Sequence, residues 1–422
     1  LFDWLRHLYA HLHYVVRHDG ETTESFRALM GILIGDPASP LLWILFLSDF
    51  TLAPHPDDIF LAGIRVSHLE LADDLAFLSL SAEGMQSKLS QFEHYCGVNF
   101  LLINVPKSVA SIHGPLPDPT PALKLYGRVL AYVDLAAYVG MTFLTTHRDI
   151  FKEHYAVKAS KARSASSSAF CLEHYIGPLP PDVALTLYRS RVDPHLVAGC
   201  EVALDVRAES IAILEDAQHI FLRRALNISR RAQLAPLFSE TGLWPIGYRR
   251  YYLAVLFLIY LLDKRPTLAY AAFLEVWSLS VNDGASTWWT DLCHVGLALP
   301  VPVTLAHAEF PTTDTLREFL GVIEKSLAKH LYDTILESRH LPLLQTRYRR
   351  LRAICARADY LKLPRRRQRQ ALLLLVFSEH PLAVERLRRA PGPVPIPRNR
   401  RICRLCKLRN AVEDETHVLL QC

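Results

Sequence analysis

Over roughly the first 146 residues the apolar positions fall in short runs of strand length, broken by three helix-like stretches, whereas from about Asp149 onward they recur at helical spacing. This change predicts an α+β region followed by a mainly helical remainder. Leu1, Leu5, Leu8, Leu12 and Val15 share one helical face, so an amphipathic helix is expected over 1–17, ending before the polar loop HDGETTES. GILIGDPASPLLWILFLSDF predicts a second helix, capped by Asp36 with Pro37 at its first position. Gly31 and Gly35 allow close backbone approach just before it, and a helix N-terminus favours phosphate; a plain capped core helix fits the same residues.

In HLELADDLAFLSLS, Leu69 to Leu71 and Leu75 to Leu78 flank Asp73 and Asp74, which reads as a buried β-hairpin with two acids at its tip. Two carboxylates a few ångströms apart repel by roughly 4 kcal/mol at an effective dielectric near 20, so holding both ionised calls for a cation. Oxygen ligands suit Mg²⁺ or Mn²⁺, while an ordinary Asp-rich turn is the alternative. Ala82 to Phe100 is expected to be a helix that packs on the sheet, with Met85, Leu89, Phe92 and Cys96 on one face. In INVPKSVASIHG, Asn104 and Lys107 flank a turn before a short strand, Val109 to His113, and Pro115 to Lys124 is a Pro-rich surface excursion. LKLYGRVLAYV and AYVGMTFLTT read as strands, with Gly140 placed inside one.

The helical part contains KEHYAVKASKARSASSSAF, PPDVALTLYRSRVDP, ESIAILEDAQHIFLRRALN and GLWPIGYRRYYLAVLFLIYLLDK. Lys158, Lys161 and Arg163 make the first of these basic, which serves a nucleic-acid backbone or plain solvent exposure. The longest apolar run, Tyr251 to Leu262, is far short of the roughly 20 residues that cross a bilayer, so it reads as a core helix and no membrane partner is expected. No leader is visible at the start of the chain, and without an initiator Met, Leu1 reads as lying downstream of the true start.

Net charge is +5, but Arg347 to Arg409 carries 19 Lys and Arg against Asp359, Glu379 and Glu385. This density is the footprint of a polyanion-binding segment or of a solvated helix face. At the terminus Cys403, Cys406, His417 and Cys422 form C-x2-C and H-x4-C pairs, the spacing of a tetrahedral Zn²⁺ site, against coincidental surface thiols. About twenty residues with few apolar side chains cannot build a core, whereas structural zinc supplies roughly 10–16 kcal/mol. Positions five apart on an ideal helix point about 140° apart, so the helix must loosen before Cys422.

GDPASPLLW, LADDLAFLS, INVPKS and YVGMTF, in this order and at these intervals, resemble the reverse transcriptases of non-LTR retrotransposons, particularly fungal ones. ETGLWPIGYRR and the Cys-Cys-His-Cys element are similar to the downstream region of such proteins, and the likeness is thinnest between about 265 and 345. The resemblance implies a partial palm and fingers (a mixed sheet with helices) over 1–148, a helical thumb-like region over 149–264, a helical region with the basic block over 265–390 and a zinc knuckle over 398–422. It implies RNA-directed DNA polymerisation with two divalent metals, an RNA template, a DNA primer and deoxynucleotide triphosphates, in an intracellular setting compatible with the nucleus.

Carried over by motif, Asp73 looks like the metal-binding aspartate of the family's acidic box and Asp74 its partner, with Leu71 where the family has an aromatic. Gly35, Asp36, Pro37 and Ser39 match the box lying against template and nucleotide, with Ile34 in place of the usual Gln. Lys107 resembles the lysine beside the leaving pyrophosphate, and Tyr138, Val139, Gly140 and Met141 the element that holds the primer terminus. Two-metal transfer also needs a bridging carboxylate from a second strand, which the family supplies upstream of the helix that opens this chain. Asp3 lies in a helix-patterned stretch and does not replace it, so the chain is expected to be catalytically incomplete. The alternative class is a non-enzymatic, zinc-containing nucleic-acid-binding protein.

Overall fold

The computed structural model describes residues 2–27, 31–33, 35–146, 149–348, 355–388, 394, 396–406 and 411–422. Leu1, Ile34, much of the Pro-rich linker and several cations of the basic block (Arg349, Arg350, Arg352, Arg389, Lys407 and Arg409) lie outside them. The chain is mixed α and β and divides into two compact units, one comprising 1–59, 66–108 and 121–130, the other 60–65, 109–120 and 131–422.

In the first unit helix α1 spans Phe2–Ala10, well short of the expected 1–17, and buries none of its residues. Beyond it the backbone turns to β pairing: Tyr14 bridges to Phe26, and Arg17–His18 pairs with Glu21–Thr22. A short helix whose one covered face, at Leu5, Leu8 and Tyr9, is only half-buried has little to hold its last turns. Helix α2 spans Ser39–Leu47, starting two residues later than the expected Pro37, with Ala38 at its cap and no side-chain cap hydrogen bond. The preceding loop closes on itself instead: the Ser39 amide donates to the Asp36 carbonyl (3.1 Å), and Ser39 Oγ donates to the Leu33 carbonyl (2.6 Å).

His68–Leu71 and Asp74–Phe77 form the expected antiparallel hairpin, with Leu71 opposite Asp74. Ala72 and Asp73 are thus the two turn residues, and Ala72 has φ 54°, the sign a type II′ turn needs at that position. The hairpin is half-buried and not buried as expected, because one face alone is covered. Phe77 meets Phe92 with ring centroids 5.1 Å apart, and Phe50 meets Phe92 at 5.6 Å. Helix α3, Ala82–Val98, is capped by Ser81 Oγ, which accepts from the Gly84 amide, and it buries Leu89, Phe92 and Cys96 as the pattern predicted, whereas Met85 is half-buried. Lys88, on the same helix, is fully buried against Asp58 and also donates to the Leu78 carbonyl.

In the second unit Leu135–Tyr138 pairs with Met141–Leu144. Gly140 sits in the turn and not within a strand: Val139 (φ 49°) and Gly140 (φ 76°) both have positive φ, which a type I′ turn demands. The expected strand Val109 to His113 shrinks to Val109–Ala110, which pairs in parallel with Ala131–Tyr132. Every ladder among the described residues has two strands, where the resemblance implied a mixed sheet. Strands of two to four residues offer too few ladder bonds to recruit a further neighbour.

Helices follow, among them α4 (Lys152–Cys171), Ala208–Leu226, Ile246–Lys264 and Thr313–Glu337. They share a large apolar core that includes Tyr188, Leu214, Phe221, Leu258, Trp289 and Ile323. The run Tyr251 to Leu262 lies in the Ile246–Lys264 helix and contributes to that core, as expected. No helix among the described residues is long and apolar enough to cross a membrane.

Polar side chains from ETGLWPIGYRR hold this unit together. Arg250, 2 % exposed, donates through Nε to Asp205 Oδ1 (2.9 Å), and through Nη1 and Nη2 to the Leu196 and Ala203 carbonyls (2.9 Å each). Tyr155 of α4 completes the group by donating to Asp205 (2.7 Å). Arg249 grips Asp193 with two nitrogens, while buried Glu240 accepts from Arg347 and from Tyr348 Oη (2.7 Å). A buried ion pair whose partner is removed typically costs 3–5 kcal/mol. Asp205→Ala is therefore expected to lower the thermal midpoint of the full chain sharply, whereas Asp314→Ala, which removes the exposed partner of Arg317, shifts it little; equal effects would show that the buried network is not what holds the unit.

Candidate metal centre and acidic hairpin

The terminal cysteines and histidine converge. Ligand atoms of Cys403, Cys406, His417 and Cys422 all lie within 4.8 Å of one another, and the three thiols are free. Cys403 Sγ lies 4.0 Å and Cys406 Sγ 2.9 Å from Cys422 Sγ, on either side of the edge of roughly 3.8 Å expected for a tetrahedron built on Zn–S bonds of about 2.3 Å. His417 is buried, yet neither ring nitrogen has a hydrogen-bond partner. A buried imidazole left this way carries a desolvation cost that a metal bond removes. The group can hold a metal ion, and its three sulfurs and one nitrogen select Zn²⁺ over Mg²⁺.

Local geometry explains how so short a segment reaches this arrangement. Asp414 caps the Glu415–Leu420 helix by accepting from the His417 amide, and the helix ends before Cys422, as its five-residue offset from His417 required. The Cys422 amide then returns to the His417 carbonyl at 2.8 Å, which folds the last thiol back over the site. Backbone N–H groups of Cys406 and Leu405 pointing at Cys403 bring its thiol down to about 7, so it ionises near neutrality. Cys422, hydrogen-bonded to Cys406 and next to Cys403, is pushed up to about 12, since neighbouring thiolates need a cation to ionise together.

Sequence reasoning missed what anchors the centre. Buried His380 Nε2 lies 2.8 Å from Glu415 Oε1, two residues before the ligand His417, and the Val384 amide donates to the Glu413 carbonyl. Arg401 Nη1 donates to the Val384 carbonyl at 2.7 Å. His380 stands 37 positions before His417, and no periodicity links the two segments.

Asp73 and Asp74 are exposed at the hairpin tip, and neither makes an ion pair among the described residues. The structure joins the hairpin to the GDPASPLLW box, because Trp43 Nε1 of α2 donates to the Ala72 carbonyl at 2.8 Å. Of that box, Gly35 and Pro37 are exposed, Asp36 is half-buried, and buried Ser39 spends its hydroxyl on Leu33. Lys107, exposed in the Val105–Lys107 turn of the same unit, also makes no ion pair among the described residues. Tyr138, Val139, Gly140 and Met141 form the hairpin turn of the second unit, with Val139 and Gly140 exposed. Among the described residues the Cys₃His group is the only one where three or more candidate ligands converge, so the acid pair has no third carboxylate beside it.

Much of the basic block is occupied internally. Arg347 serves Glu240, Arg388 serves Glu385, Arg398 serves Asp414, and Arg401 binds main-chain carbonyls. Arg365, Arg366 and Arg367 are exposed where the Arg366–Val376 helix begins. Cations at a helix N-terminus oppose the helix dipole and gain from an anionic partner.

No family model matches the chain, and neither does any curated protein. For the metal centre, purified protein is expected to contain one zinc per chain by mass spectrometry, and Cys406→Ser to lose most of it. Cobalt exchange should add a thiolate-to-metal absorption band; a metal-free protein without that band would remove the centre.

Proposed function

We propose that the chain is part of a reverse transcriptase of the non-LTR retrotransposon type, an RNA-directed DNA polymerase that joins deoxynucleotides to a DNA primer on an RNA template. One contact carries this reading: Trp43 of GDPASPLLW holds the turn of LADDLAFLS through the Ala72 carbonyl, so two boxes 29 residues apart meet in one unit. The acid pair projects into solvent, where a primer end and a triphosphate can reach it.

Adjacent exposed carboxylates without a cationic neighbour suit a hard divalent cation. Bound Mg²⁺ or Mn²⁺ supplies Lewis-acid stabilisation of charge at the transferred phosphate. The protein's own part is to hold that charge with Asp73 and Asp74, to keep both acids fixed through Trp43, and to offer the exposed Lys107 ammonium to an anionic leaving group. In this reading a third carboxylate is still needed to bridge two ions and activate the 3′ hydroxyl, and the chain as it stands transfers nucleotides poorly or not at all.

The test is primer extension on a primed RNA with Mg²⁺ or Mn²⁺. The 422-residue chain is expected to remain at background. The same chain joined to an upstream aspartate-bearing strand should extend the primer, and Asp73→Asn within it should slow extension by at least about 10³-fold. Failure of the longer chain refutes the polymerase reading, and robust extension by the present one refutes its incompleteness.

A second reading, a zinc-containing nucleic-acid-binding protein without catalysis, is favoured by exposed Arg365, Arg366 and Arg367. Replacing all three by Gln should weaken binding of single-stranded RNA and flatten its salt dependence by roughly two units of log–log slope. Unaltered affinity and slope would dismiss it.

A further inference from the structure

Helix α1 and the residues after it carry three histidines in HLYAHLH, which neither the acid pair, the basic block nor the terminal Cys₃His centre uses. Two of them, His7 and His11, stand at i and i+4, which places them one above the other on a helical surface. Although α1 ends at Ala10, the His11 amide still bonds to the His7 and Leu8 carbonyls (3.2 Å each), so the turn between the two histidines is helical. Both imidazoles are exposed, and their ring centroids lie 4.2 Å apart.

The backbone sets which nitrogen of His11 is free. Its Nδ1 lies 2.8 Å from the His7 carbonyl oxygen, which can only accept, so Nδ1 carries the hydrogen and the Nε2 lone pair faces solvent unused. A ring N–H spent on a main-chain carbonyl is the arrangement that fixes the tautomer and orientation of a metal-ligating histidine. The His7 ring makes no hydrogen bond among the described residues and can turn either nitrogen to the same ion. Asp3, one turn before His7 on the same face and in no ion pair among the described residues, adds negative charge that favours a cation.

We infer that His7 and His11 chelate a divalent transition-metal ion of the kind that imidazole binds, Zn²⁺ foremost, at a second metal site distinct from the Cys₃His centre. Neutral ring nitrogens select such ions over Mg²⁺. No third ligand converges on the pair among the described residues, so water fills the remaining positions and the ion is held more weakly than by three thiolates and a histidine. The site stands whether or not the chain is part of a polymerase.

The ion acts as a staple. With nine residues, α1 is shorter than the roughly 12–15 that hold an isolated helix together, and its covered face is only half-buried. A bridge from His7 to His11 closes its last turn, and that turn carries Tyr9, whose hydroxyl accepts from the Leu33 amide at 3.4 Å. Leu33 in turn accepts from Ser39 Oγ at the start of α2 (2.6 Å). Metal bound to the folded turn stabilises it by linkage and, through Tyr9, steadies the loop that leads into GDPASPLLW.

The test titrates Zn²⁺ into the full chain whose Cys₃His centre is already loaded, with calorimetry and hydrogen exchange as readouts. The parent is expected to take up a further equivalent, weaker than the first and removed by dialysis, and to exchange the Leu33 amide more slowly once it is bound. His7→Gln and His11→Gln, both at exposed positions that the fold tolerates, should each weaken this equivalent at least about tenfold and abolish the change at Leu33, with the first zinc retained. Asp73→Asn with Asp74→Asn should leave it intact, which separates the site from the acid pair and from the polymerase reading. No further equivalent in the parent, undiminished uptake in either histidine variant, or its loss in the double aspartate variant overturns the proposal, and unchanged exchange at Leu33 overturns the staple.

Discussion

Arg250 is the constraint on which most of the second unit depends. A guanidinium brought to 2 % exposure must place its donors on fixed acceptors, and here these are Asp205, two main-chain carbonyls and the Tyr155 hydroxyl. Those acceptors lie on α4, on the Asp193–Val197 helix and on the loop that follows it, so one residue of the Ile246–Lys264 helix sets the mutual position of three separate segments. Gln218 does similar work nearby, donating to Tyr188 Oη and the Trp244 carbonyl and accepting from the Ile246 amide. The polar residues of ETGLWPIGYRR thus face inward. Arg250 is unavailable to an external anion, and Arg249 spends its charge on Asp193.

The first unit is built on a different scale. Its buried apolar cluster consists of Phe50, Leu52, Phe92 and Cys96, and among the described residues its one fully buried ion pair joins Lys88 to Asp58. Leu41, Ile44 and Leu45 of α2 stay more than 60 % exposed, so that helix is held by its ends and by Trp43 more than by burial. A small core leaves hairpins free to present their turns, and both acids lie at such a turn.

Charge is distributed with the same economy. The run Arg347 to Arg409 looks like a uniform basic surface in sequence, but several of its arginines neutralise buried or half-buried acids, and the zinc-type centre is fastened through His380, Glu415, Val384 and Arg401. On α4, by contrast, three of the four Lys and Arg (Lys152, Lys158 and Lys161) have no carboxylate within ion-pair distance among the described residues. Position in the fold, not charge density along the chain, separates structural from available cations.

The helical remainder, helix α3 with its buried Leu89, Phe92 and Cys96, the acidic hairpin and the convergence of Cys403, Cys406, His417 and Cys422 were all legible in the sequence. Each follows from periodicity, turn chemistry or ligand spacing, which act over a few residues. The end of α1 at Ala10, the start of α2 at Ser39 and the place of Gly140 in a turn were not legible, because loop closure and strand pairing between separated segments decided them. The same holds for which cations are spent. Arg163 and Lys158 are alike as letters, and only the packing of distant acids such as Asp216 against one and histidines against the other makes the first a brace and the second an open charge, because pairing energy depends on distance in space.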